Sequence, residues 1–69
     1  MIISDFTKPE LNFFRDNCNF VNEEVQVFEL RSQGISLESI AEQLHITYDG
    51  IKRISRKVNR KITVVLNYK

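Results

Sequence analysis

Lys52, Arg53, Arg56, Lys57 and Arg60 crowd into a short stretch late in a 69-residue chain, and the acid nearest to them is Asp49. Arginine and lysine are the side chains that pair with phosphate oxygens and with the O6 and N7 edge of guanine. The chemistry on offer is recognition of a polyanion, with arginine able to discriminate what it touches. A solvated helix face can carry the same residues, so their meaning depends on the elements that hold them. The charge of the whole chain points the same way. Its formal net value is only +1, but residues 1–50 carry three cations and nine acids, net −6, whereas residues 51–69 carry seven cations and no acid, net +7. A segregated basic end raises the local concentration of polyanions.

Other chemistries find little to work with. The lone His45 lies in a turn and reads as a structural or surface residue, not a base or ligand, and Cys18 with one histidine does not make a zinc site. Gly34 and Gly50 are too far apart for a phosphate-cradling loop. The reading is a protein that is not an enzyme, with no catalytic residue, cofactor or metal.

Sixty-nine residues make one small domain with room for a single core. The composition, 42% apolar and 28% charged, is that of a globular protein, and no run approaches the length of a membrane span. The opening "MIISDF" lacks the basic leader and apolar core of a secretory signal. A single cysteine cannot form an internal disulfide and fits a reducing compartment. The expected location is cytoplasmic, and stability must come from helix packing.

The elements that would position the cations are helices. In "FTKPEL", Thr7 and Glu10 have capping-box spacing, Phe6 and Leu11 sit where a hydrophobic staple belongs, and Pro9 lies in the first turn. A first helix is predicted over about 8–16. A second opens at Asn22 as cap, with Glu23 and Glu24 complementing the dipole, and stops before Gly34, which suits the left-handed position after a helix. Its apolar residues Val25, Val27, Phe28 and Leu30 spread over more than one face, the mark of a central scaffold. Ser36 caps a third helix over about 37–44 with Leu37, Ile40, Ala41 and Leu44 at helical spacing. Thr47 caps a fourth from about Tyr48 to Val65. On that helix Ile51, Ile54, Val58, Ile62 and Val65 form one stripe, while Asp49, Lys52, Arg53, Arg56 and Arg60 form the opposite one, with Lys57 and Lys61 at its edge. The β-branched "ITVV" leaves a second possibility for the tail, a short strand beside "MII".

The class is therefore all-α: a four-helix domain over residues 1–69 containing a helix-turn-helix at about 36–57, its last helix long and basic. Two helices joined by about three residues, with a small residue where they cross, define that arrangement. Its demands are met by Ala41 at the crossing, Ile40 and Leu44 on the scaffold, Ile46 in the turn, and Ile51 and Ile54 on the second helix. Five required apolar positions would match by chance about one time in a hundred.

Residues 20–62, "FVNEEVQVFELRSQGISLESIAEQLHITYDGIKRISRKVNRKI", resemble the LuxR-type DNA-binding domain and the related region four of bacterial sigma factors. The resemblance rests on Phe20, Glu24, Val27 to Leu30, Gly34, Ile40 with Ala41, Leu44, Ile46 with Thr47, and Ile51 with Lys52. Small proteins of this kind, with an added first helix and a basic tail helix, are similar to ones of bacterial mobile elements and prophages. Val21 departs from the Thr or Ser cap usual there, with Asn22 able to supply one next door, and the chain lacks the separate fourth helix through which LuxR-type domains dimerise.

The resemblance implies a small bacterial or phage transcriptional regulator that binds double-stranded DNA sequence-specifically, associated with the nucleoid when bound. Its recognition helix, about 48–61, would lie in the major groove. Lys52, Arg53 and Arg56 would contact bases and phosphates. Thr47 and Tyr48 would approach the backbone or a base edge, with Thr47 held to capping. Asp49 would accept from a cytosine amino group or serve only the helix dipole. Lys57 and Arg60 would meet phosphates or stay solvated, and Ser36 would offer its N–H or hydroxyl to a phosphate. Two copies acting together are expected, touching through Ile62, Val65 and Leu66 in the 62–68 tail, and contact with RNA polymerase is a further implied partnership. The competing reading is a protein-interaction adaptor whose basic helix binds an acidic partner such as a transcription-machinery subunit.

Overall fold

The computed structural model describes residues 2–67. A 3-10 turn, Ile3–Asp5, precedes four α-helices: α1 (Lys8–Asn17), α2 (Glu23–Ser32), α3 (Leu37–Leu44) and α4 (Tyr48–Asn67). The described residues contain no strand. The tail follows its helical periodicity through Asn67, and Ile3 joins the core from a 3-10 turn and not from a strand, while Met1 of "MII" lies outside the described residues. No helix among the described residues is long and apolar enough to cross a membrane.

Local chemistry accounts for the helix ends. Thr7 Oγ1 accepts the Glu10 N–H while a Glu10 carboxylate oxygen accepts the Thr7 N–H at 2.8 Å, so the capping box at α1 is complete. Helix α2 ends at Gly34, φ +83°, with the Ile35 N–H donating to Leu30 O and the Gly34 N–H to Arg31 O, the paired bonds of a Schellman motif. At the end of α3 the same left-handed position is taken by His45, φ +56°, and the Ile46 N–H returns to Ala41 O at 3.1 Å. Histidine is among the non-glycine residues that tolerate this region.

The start of α2 differs from expectation. Asn22 makes no side-chain cap: its φ of +53° takes it out of the extended backbone that a capping residue adopts. Glu24 does the work instead, one carboxylate oxygen accepting the Val21 N–H at 3.2 Å while the Glu24 N–H donates to Val21 O. This is half a capping box in which Val21, having no hydroxyl, cannot supply the other half.

The core joins Ile3, Leu11, Phe14, Cys18, Val27, Phe28, Ile40, Ala41, Ile51, Val58 and Ile62. Helix α2 packs against α4, α3 and the 3-10 turn, as a scaffold must, although Val25 faces outward. Leu37, Leu44, Ile54 and Val65 line the edge of the core, half-buried. Ala41 is 9% exposed, on the helix that packs against α4. Ala41→Leu is expected to overpack this contact and cost about 1 to 3 kcal/mol. Thermal melting of the variant tests it, and a melt matching the parent would show that α3 and α4 do not cross there.

Candidate nucleic-acid interface

Helix α4 is the longest element. Its 20 residues rise about 30 Å, close to the 35 Å long axis of the molecule. Ile51, Ser55, Val58 and Ile62 are its buried row. A 20-residue helix with one buried row exposes its far side along its whole length. That side carries Asp49, Arg53, Arg56 and Arg60, all exposed, with Lys57 exposed on the flank and Lys52 half-buried. Arg53, Arg56 and Arg60 follow one another at three and four residues, so they form a line about 10 Å long. Among the described residues none of Arg53, Arg56, Lys57 or Arg60 makes an ion pair. Lys57 lies close enough to Glu24 to help hold its carboxyl ionised, while Arg53, Arg56 and Arg60 keep their field for an external anion.

The start of α4 is fixed by three residues. Thr47 Oγ1 accepts the Gly50 N–H at 3.1 Å, which commits that hydroxyl to the helix cap. Tyr48 is 45% exposed, and the Lys52 ammonium lies 5.5 Å from its ring centroid. Gly50 was not singled out as a positioning residue by sequence reading. A Cβ there would come within 2.9 Å of Ile46 Cγ2 and 3.1 Å of Thr47 Oγ1. Glycine in a first helical turn sacrifices about 1 kcal/mol of helix propensity, and that apparent waste was the available signal of a close approach.

Ser36 is the cap of α3, the helix before α4. It is exposed, its hydroxyl accepts the Ser39 N–H at 3.2 Å, and α3 carries it about 12 Å of helix before the turn that leads into α4. Its side chain serves the start of α3.

Lys61 leaves the basic stripe altogether. Its ammonium donates to Glu24 Oε1 and, at 3.1 Å, to the Asn19 carbonyl. One lysine thus ties α4 to the start of α2 and to the connection from α1. The pair is largely sheltered, with side-chain exposures of 32% and 11%. Arg15 is similarly consumed by a two-bond pair with Glu29 and lies over the Phe28 ring, 5.6 Å from its centroid, tying α1 to α2. Ile62, expected to be available for self-contact, is fully buried, and Val65 packs against the core. Of the apolar residues at that end, Val64 and Leu66 are the exposed ones among the described residues, and Tyr68 lies outside them.

The Lys61 bond is the main cause that holds the Glu24 carboxyl below its ordinary range, and Arg15 does the same for Glu29. A carboxyl whose folded pKa is depressed adds stability above its unfolded pKa, and that stability is lost as pH falls through the folded value. The domain is expected to lose stability below about pH 4.5, the ordinary glutamate range. Glu24→Gln should lower the melting temperature at pH 7 and flatten its decline between about pH 5 and pH 3. An unchanged acid limb in this variant would remove Glu24 from the account.

No protein-family model, curated protein or solved structure matches the chain.

Proposed function

We propose that this chain is a helix-turn-helix protein that binds double-stranded DNA and regulates transcription in a bacterial or phage setting. Helix α3 supports and α4 reads. The observation that carries the proposal is the exposed, ion-pair-free line of Arg53, Arg56 and Arg60 on the side of α4 opposite Ile51, Val58 and Ile62. Arginine on a rigid element is suited to bidentate contact with guanine as well as to phosphate. Three residues, His45 to Thr47, join α3 to α4. That short joint and the buried Ala41 on the helix that packs against α4 support a tight pairing of the two helices, which holds the line at a fixed attitude.

The single domain, its reading unit at about 36–57 and a cytoplasmic location belong to this proposal. A single α4 gives a small interface, so two copies on half-sites about one helical turn apart suit it. The experiment that tests the reading is selection of bound duplexes from a random DNA pool. Enrichment of one sequence family is the expected result. Recovery of DNA without enrichment, weak and steep in salt, would favour the adaptor, in which the same helix meets an acidic protein.

A further inference from the structure

On the reading of α4 as the DNA-contacting helix, we propose that Tyr48 and Lys52 act as one unit that grips the DNA backbone at the wall of the groove, with Lys52 making the contact and Tyr48 as its positioning residue. The two are an i, i+4 pair on successive turns, and the Lys52 ammonium already rests over the Tyr48 ring, 5.5 Å from the centroid.

Their place on the helix separates them from the arginines. At 100° per residue, Tyr48 and Lys52 lie about 60° and 100° round from the buried Ile51, whereas Arg56, Arg60 and Arg53 lie about 140° to 200° round. Burial separates Lys52, which is half-buried, from the three exposed arginines, while Tyr48 at the helix start is 45% exposed. Side chains opposite the buried row in the first turns of a helix that enters a groove reach its floor. Those nearer the core side meet its walls, and the walls are phosphate. Lys52 is therefore a backbone contact and not the base reader that its neighbours in sequence suggest.

The ring gives the lysine something a free side chain lacks. A long cation surrenders rotamer freedom when it binds, and ordering it beforehand lowers that cost. Among the described residues Lys52 has no carboxylate partner. The ammonium can keep the ring on one side and donate to a phosphate oxygen on the other. Only the aromatic face is needed for this, so the Tyr48 hydroxyl is dispensable.

The test is a double-mutant cycle on the full chain, read as affinity for a selected duplex and a scrambled one at two salt concentrations. Circular dichroism melts establish that each variant is folded. Lys52→Ala is expected to weaken both duplexes alike, by about tenfold, and to lower the slope of log affinity against log salt by about 0.9. Tyr48→Ala should weaken both by roughly threefold, the double variant should be no worse than Lys52→Ala, and Tyr48→Phe should match the parent. Additive losses, or a Lys52 loss confined to the selected duplex, would overturn the proposal and leave DNA binding standing. Failure of the parent protein to bind either duplex would overturn both.

Discussion

Phe28→Ala is expected to remove roughly half of the domain's stability. Phe28 is fully buried in α2, the helix that packs on α4, α3 and the 3-10 turn. Its ring stacks on Phe20 with centroids 4.7 Å apart and lies under the Arg15 guanidinium. Removing a buried phenylalanine costs about 3 to 5 kcal/mol because both the transfer energy and the contacts around the cavity are lost. A domain of this size holds only about 3 to 10 kcal/mol in total. No disulfide is available to offset the loss, since Cys18 is free. Far-UV circular dichroism in a urea series checks the outcome. A cooperative transition near that of the parent would mean that α2 is not the centre of the core.

Arg53→Ala and Arg56→Ala are each expected to cost about 1 to 3 kcal/mol of binding to a selected duplex and to relax preference at one base position. Arg60→Ala should weaken selected and scrambled duplexes equally, as a phosphate contact does. Arg60 is the right comparison because it lies on the same exposed line, farther from the helix start. Lys61 is not, despite being adjacent in sequence: its ammonium is engaged by Glu24 and the Asn19 carbonyl, so its removal acts on folding. Binding measured on both duplexes at two salt concentrations distinguishes these outcomes. Equal losses at Arg53, Arg56 and Arg60, with no change in preference, would sink the assignment of α4 as a base-reading helix.

Much of the fold was legible because the interactions that decide it are local. Thr7 with Glu10, Ser36 with Ser39 and Thr47 with Gly50 are all three residues apart, within one turn of helix, and each was marked by a capping residue type. The run of Ile51, Val58 and Ile62 keeps to one side of a helix for a purely geometric reason, and the exposed arginine line follows from it. The left-handed Gly34 was legible in the same way, from one residue's freedom at a helix end.

Where expectation and structure part, the deciding partner lies far off in the chain or the choice depends on a shape that local pattern does not carry. Asn22 is a good capping type, but its backbone takes a positive φ and Glu24 assumes the task. That same Glu24 meets Lys61, 37 positions further along the chain, a pairing that periodicity could place only at the edge of a stripe.

By itself the sequence determined four helices, their limits to within a few residues, the side of α4 that carries Ile51, Val58 and Ile62, and the separation of acidic from basic halves, because each depends on residue type and on spacing within a turn or two. That Ser55 is buried while Ile54 and Val65 stay half-buried it did not show. The tertiary structure alone decided which cations remain free. It drew Arg15 to Glu29 and Lys61 to Glu24. The physical reason is that an ion pair between elements forms only where packing of apolar faces has already brought the two backbones together, and that packing is a property of the whole chain.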